Sequence, residues 1–88
     1  MKEARFQRAE GFETHEVEDG LMVYQPGRER VHFLNATATL VFELCAAART
    51  VPELAALVGR AYGLDAAPDG EVAAAVEQLM AESLLRAE

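Results

Sequence analysis

The junction at Leu34-Asn35, where a strand pattern changes directly into a helical one, constrains the fold of this chain more than any other feature. Residues 31–34 read Val-His-Phe-Leu, a largely apolar run that predicts a strand. The side-chain oxygen of Asn35 can accept hydrogen bonds from the first free amides of a helix, and helical periodicity begins at once. Because no loop separates the two patterns, the strand is expected to dock directly onto a helical layer.

Turn signals before the junction predict a three-stranded antiparallel meander. The first strand covers residues 12–18 and ends at Asp19-Gly20, a pair that tolerates the positive φ angles of a two-residue hairpin turn. The second strand covers residues 21–25, after which Pro26-Gly27 occupies the central positions of a type II turn. The chain is then expected to return as the third strand over residues 30–34.

Capping residues predict three helices after the meander. The first helix is expected over residues 35–48. Thr50 and Glu53 form a capping box that starts the second helix, and Gly63 ends it in a left-handed cap. The third helix is expected to begin near Asp69. The predicted order, β-β-β-α-α-α, is that of an α+β fold.

The length of the chain limits it to one domain. At 88 residues it has no room for a second hydrophobic core. Residues 1–11 carry charge without a period and are expected to form a flexible arm, with residues 12–88 as the domain. The only cysteine, Cys45, excludes an internal disulfide and is expected to fill the core. No apolar run approaches the roughly 18 residues of a membrane span, so we expect a cytoplasmic protein without membrane association.

No residue pattern in the chain indicates catalysis. The six glycines never form a phosphate-binding loop, and His15 and His32 are too few for a metal site without carboxylates. We therefore expect no enzyme activity, no metal and no cofactor. The net charge of −7 is concentrated in residues 50–88, where two arginines accompany seven acidic residues. Such a surface repels polyanions, so no nucleic-acid partner is expected.

The third predicted strand is expected to leave one edge unpaired. In a three-stranded meander this strand has a single neighbour, so a row of amides and carbonyls is free along its other side. Residues 30–34 contain no proline that would block this edge. An extended peptide can bind there as a fourth strand. Alternatively, the N-terminal arm or a second copy of the chain covers the edge.

Three segments of the chain together resemble the PqqD family, the pyrroloquinoline quinone (PQQ) biosynthesis protein D and its relatives. They are residues 31–45, residues 49–57 and Tyr62-Gly63. The similarity extends over about residues 20–85. Its most specific parts are Leu34-Asn35, the aliphatic–aromatic pair Val41-Phe42, and Arg49-Thr50-Val51 before the second helix.

The resemblance implies a winged helix-turn-helix-like domain that acts as a RiPP recognition element, a noncatalytic chaperone for the precursors of ribosomally made, modified peptides. It implies that the leader segment of a precursor peptide lies along the third strand, in a groove walled by the third helix. The complex would then be delivered to a modifying enzyme, often a radical SAM protein. By this resemblance the strand wall would consist of Arg30, Val31, His32, Phe33 and Leu34. The helical wall would consist of Val72, Ala75, Val76, Leu79 and Met80.

The chain departs from the family pattern between the first two helices, where Ala46-Ala47 replaces a common Asp-Gly pair. The first helix is therefore expected to run longer than in relatives. Two other functions stay open. A structural, dimerising adaptor would use the same strand edge for self-pairing. A winged-helix DNA-binding module would use the third helix, but residues 61–85 contain no Lys or Arg to contact phosphates.

Overall fold

The computed structural model describes residues 4–88, which form two small antiparallel sheets and three helices. The strands are β1 (Arg5–Arg8), β2 (Glu13–Val17), β3 (Gly20–Gln25), β4 (Arg30–Asn35), β5 (Arg49–Thr50) and β6 (Leu85–Ala87), and the helices are α1 (Ala36–Leu44), α2 (Val51–Ala61) and α3 (Asp69–Ala81). The predicted α+β class, a meander followed by three helices, is confirmed. Over residues 4–88 no helix is both long and apolar enough to cross a bilayer.

The meander has the strand order β2-β3-β4, with one face on the core and the other in solvent. In β3 buried residues alternate with half-buried ones, and from Val31 onward β4 alternates between exposed and buried residues, as expected for a sheet covered on one side. Opposed residues share a face, so Leu34 and its partner Leu21 point to the core, while Phe33 and its partner Met22 point outward. The register therefore decides which side chains of β4 are available to a ligand.

The first hairpin turn lies one residue earlier than predicted. Val17 pairs with Gly20, so the turn residues are Glu18 and Asp19, and neither has a positive φ angle. Gly20 instead begins β3, where a Cβ atom would overlap the carbonyl oxygen of Leu34. The glycine is thus required by the close approach of β4 and not by the conformation of the turn.

The second turn also differs from the predicted type II turn. Pro26–Arg28 form one turn of 3-10 helix, and Gly27 does not take the positive φ that a type II turn requires. Glu29 takes that role, with φ of 51°. The 3-10 turn carries the chain away from the end of β3, and the left-handed residue after it directs the chain back into β4.

Helix α1 begins as predicted but ends earlier than expected. The Oδ1 atom of Asn35 accepts a hydrogen bond from the Ala38 amide at 2.8 Å. The helix ends at Leu44, because the carbonyl groups of Leu44 and Cys45 accept hydrogen bonds from other segments and not from a further helical turn. The Nε of Arg49 donates to the Leu44 carbonyl at 2.7 Å, and the Arg8 amide donates to the Cys45 carbonyl at 2.7 Å. The expected extension through Ala46-Ala47 is therefore wrong.

Helix α2 has both of its predicted ends. The Thr50 side chain accepts from the Glu53 amide, and the Glu53 side chain accepts from the Thr50 amide, which completes the capping box. Gly63 follows the helix with φ of 64°, the left-handed conformation that was expected of it. Helix α3 begins at Asp69, also as predicted.

The core lies between the inner face of the meander and the three helices. Its largest fully buried side chains are Phe42, Leu34, Leu54, Leu79, Leu84, Val23, Val41, Val58, Val72 and Cys45. The burial of Cys45 agrees with its expected role as a core residue. Phe42 is fully buried, with Phe12 and the guanidinium of Arg8 against its ring.

The N-terminal segment, expected to be a flexible arm without secondary structure, contains a strand. Strand β1 lies at the centre of the second sheet, between β5 and β6, and Phe6 packs against the core. No local pattern predicted it because its partners lie more than 40 residues away along the chain. The first three residues of the predicted arm, 1–3, lie outside the described part of the chain.

Candidate functional site

Within the described residues 4–88, strand β4 lies at the edge of the meander. It pairs with β3 on one side, and no described strand pairs with its other side. Strand β1 is engaged in the other sheet, so the described part of the N-terminal segment does not cover this edge. Every second residue of an antiparallel edge strand directs its amide and carbonyl outward. Strand β4 therefore offers main-chain hydrogen bonds to an additional strand.

Helix α3 lies beside β4 and runs in the opposite direction. Near its C-terminal end, Oε2 of Glu82 is 3.3 Å from Nδ1 of His32 in the middle of β4. Near its N-terminal end, Glu71 faces Asn35, where β4 passes into α1. A groove of about 320 Å³ lies there between α3 and the first turn of α1, and β4 borders it at its last residue, Asn35. It is lined by Asn35, Thr37, Ala38, Glu71, Ala74, Ala75 and Gln78.

The predicted strand wall divides into two faces. Val31 and Phe33 point outward and are 57% and 52% exposed. Arg30 is also exposed, at the start of the strand. His32 and Leu34 point inward and are buried. Only three of the five predicted strand residues thus offer their side chains to a ligand, although all five contribute backbone to the edge.

The outward face of the meander is apolar around these two side chains. Val31 is paired with Tyr24, and Phe33 is paired with Met22, so the four side chains lie together on the solvent side. Tyr24 and Met22 are half-buried by their neighbours, and no described segment covers them. A strand added next to β4 would extend this apolar surface by its own outward side chains.

Most side chains of the predicted helical wall are buried in this structure. Val72, Val76 and Leu79 are buried in the core and cannot line an open groove without repacking of the helices. Met80 is partly buried against the same core. Ala75 alone of the five predicted residues borders the groove.

The groove is lined instead by the neighbouring stripe of α3. Glu71, Ala74, Ala75 and Gln78 are spaced by three, four and seven positions, which places them on one side of the helix. The stripe that the family resemblance implies is the most apolar one, and it packs on α1 and α2 for that reason. The signal for the groove was the small residues beside that stripe, flanked by polar ones.

His32 is buried on the inner side of β4 and does not line the groove. Its side chain is 8% exposed, and its Nε2 lies 2.7 Å from Oε1 of Gln25. The Nε2 of Gln25 donates in turn to the Glu82 carbonyl at 3.2 Å. These contacts connect the C-terminal end of α3 to β3 and β4, so His32 maintains the spacing between β4 and the helix.

Comparison with known proteins finds one family. The family model described as coenzyme PQQ synthesis protein D (PqqD) matches residues 20–85. No curated protein and no solved structure shows a significant match to the chain. The matched range contains β3, β4 and all three helices, and therefore both walls of the groove.

Proposed function

This chain belongs to the PqqD family, whose members are noncatalytic peptide-binding proteins of PQQ biosynthesis, and on that premise we propose that it is a chaperone for a ribosomally made precursor peptide. The leader segment of the precursor binds along β4. The complex then presents the precursor to a modifying enzyme, for which the family points to a radical SAM protein.

The observation that carries this proposal is the free edge of β4 beside the groove of α3. A peptide that adds as a fourth strand gains main-chain hydrogen bonds without any requirement on its sequence. Binding needs no displacement of a described segment, because β1 pairs elsewhere. Affinity therefore comes from the backbone, and selectivity comes from the two faces that the added strand contacts.

The two faces call for different side chains in the peptide. Successive residues of a strand point to opposite sides. One set of peptide side chains would lie outward, next to Val31 and Phe33, where apolar residues bury the most surface. The other set would enter the groove, where Ala74 and Ala75 leave space and Glu71 is the only charged lining residue. We expect apolar residues at alternate positions, with small or basic residues between them.

A titration followed by NMR tests the proposed mode of binding. The probe is a synthetic leader segment of a candidate precursor peptide, added to isotope-labelled protein. Amide signals of residues 30–35 and 71–78 are expected to move together. Signals of β2, on the opposite edge of the same sheet, serve as the internal control. Perturbation confined to β2 or to β1 would contradict the proposal.

A backbone-methylation series of the same peptide separates strand addition from other modes. Methyl groups on the amides that face β4 remove a hydrogen bond and clash with the edge, whereas methyl groups on the intervening amides point to solvent. Affinity is expected to fall at every second position. A uniform or irregular profile would exclude pairing with β4 even if the peptide binds.

A dimerising adaptor is the second candidate, because the same edge can pair with its copy in a second chain. Sedimentation over a concentration series separates the two. Self-association that the leader peptide does not disperse would favour the adaptor.

The charge of the third helix argues against DNA binding, because Glu71 and Glu77 are exposed and residues 61–85 lack any basic side chain.

A further inference from the structure

A second groove lies on the other side of α1. The α1 side chains that border it, Ala36, Thr39, Leu40 and Glu43, recur at three- and four-residue spacing and face away from α3. The β2–β3 hairpin, residues 16–21, forms the opposite wall, and Ala61 and Tyr62 close the groove at the end of α2. Its volume is about 530 Å³, larger than that of the groove beside α3.

The surface of this second groove includes exposed apolar side chains. Val17 is 40% exposed and Tyr62 is 46% exposed, and both border the groove. Leu40 lies between them as a half-buried side chain of α1. Apolar side chains that remain this accessible beside a concave surface are typical of contact sites for other molecules.

The same groove has a rim of like charge. Its charged lining residues are Glu16, Glu18, Asp19 and Glu43, and among residues 4–88 no Lys, Arg or His lines it. None of these four carboxylates has an ion-pair partner within residues 4–88. Their mutual repulsion is unfavourable for the isolated chain and would be relieved by a cation bound above the groove.

We infer that this groove docks a basic amphipathic segment of a partner protein, with apolar side chains on Val17, Leu40 and Tyr62 and Lys or Arg side chains against the rim. The arrangement of an apolar floor within a single-sign rim selects by charge complementarity, since an acidic or neutral amphipathic segment leaves the carboxylates unpaired. The groove does not include the free edge of β4, so the leader peptide and this partner can bind at the same time. The inference stands independently of the peptide-binding proposal.

A model peptide tests the inference directly. The probe is a 14-residue amphipathic helix of about equal numbers of Leu and Lys, labelled for fluorescence anisotropy at low ionic strength. A peptide with Glu in place of Lys and a Lys peptide with scrambled Leu positions are the ligand controls. We expect the Leu/Lys peptide to bind at least tenfold more tightly than either control. Equal binding of the Leu/Glu peptide would refute charge selection, and equal binding of the scrambled peptide would refute the apolar groove.

Matched variants locate the contact on the protein. The double substitution Glu16→Gln/Glu43→Gln removes two rim charges, and Asp69→Asn/Glu77→Gln removes two exposed charges from α3 that border neither groove, so that both variants have the same net charge. The rim variant is expected to weaken binding by roughly three- to tenfold, and the α3 variant by less than twofold. Equal losses would show that the peptide responds only to net charge and would overturn the proposal.

The variant Tyr62→Ser tests the apolar part without changing charge. Tyr62 is the C-terminal cap of α2 and half-exposed, so the variant should keep its melting temperature within a few degrees. We expect roughly fivefold weaker binding of the Leu/Lys peptide. If Tyr62→Ser instead abolishes a concentration-dependent self-association of the chain, a second copy occupies the groove and the inferred basic partner is wrong.

Discussion

Adjacent residues of β4 should respond in opposite ways to the same substitution. Leu34 is fully buried, whereas Phe33 is 52% exposed on the outer face. Truncation of a fully buried Leu to Ala costs about 3 kcal/mol from lost burial and the cavity that remains. For a domain of this size that loss lowers the melting temperature by about 12–24 °C. Phe33→Ala removes little that the folded chain buries, so its free energy of unfolding should change by less than about 1 kcal/mol.

The effect on peptide binding should have the reverse order. Complete burial of a Phe side chain contributes up to about 3 kcal/mol, and half of that remains available to a ligand when half of the side chain is exposed. Loss of about 1.5 kcal/mol corresponds to roughly tenfold weaker binding of the leader peptide by Phe33→Ala. Leu34→Ala, measured below its unfolding temperature, should bind with an affinity closer to that of the unaltered chain.

Two measurements on the same preparations check this pair. Urea unfolding gives the stability, and isothermal titration calorimetry with the leader peptide gives the affinity. Leu64→Ala is the matched control, because Leu64 is 49% exposed but lies in the loop after α2. If Phe33→Ala destabilises the fold as much as Leu34→Ala, the facing of β4 is wrong. If Phe33→Ala and Leu64→Ala leave the affinity equally unchanged, the peptide does not contact the outer face.

Three further predictions concern the stability of the fold. Deletion of residues 1–11 should lower the free energy of unfolding by about 3 kcal/mol. The reason is that β1 supplies a half-buried Phe6 and main-chain hydrogen bonds to Cys45, just after α1, and to β6. An unchanged urea midpoint would restore the flexible-arm interpretation. Gly20→Ala should destabilise the meander by at least about 2 kcal/mol, because the new Cβ meets the backbone of β4, which cannot move aside without losing its hydrogen bonds to β3. Gly27→Ala is the control, and it should have little effect because open space surrounds that position. Burial raises the pKa of the Cys45 thiol from 9.0 to about 11. Alkylation of Cys45 at pH 8 should therefore be at least about 100-fold slower than in the unfolded chain. The contribution of the protonated thiol to the free energy of unfolding is fully present below pH 9 and should be lost between pH 9 and 11. Cys45→Ala should not show this loss.

The capping and alternation signals predicted much of the fold because each depends on residues close together in the chain. Asn35, Thr50 and Gly63 terminate helices through contacts within a few residues, and all three occupy the expected positions. In β4 the pleat of the strand likewise separates Leu34 in the core from Val31 and Phe33 on the opposite face. Such features depend only on residues that are near neighbours in the chain.

The helical side of the candidate site could not be predicted in the same way. Both the buried and the groove-lining stripes of α3 have helical periodicity, and only the packing on α1 and α2 distinguishes them. The stripe that includes Val72 and Leu79 is the binding wall that the family resemblance implies. It is also the most apolar stripe of α3, and its hydrophobicity drives it into the core. The residues left beside β4 are those that no other element buried, such as Ala74 and Gln78.

Local sequence thus determined where helices begin, which face of β4 is apolar, and that this strand enters α1 without a loop. Tertiary structure decided that β1 pairs with two distant segments, β5 and β6, that Gly20 is needed for the approach of β4, and which stripe of α3 borders the groove. The physical reason is the range of the interactions. Hydrogen bonds of caps and turns are made between near neighbours, whereas burial and strand pairing depend on segments that meet only when the whole chain has folded.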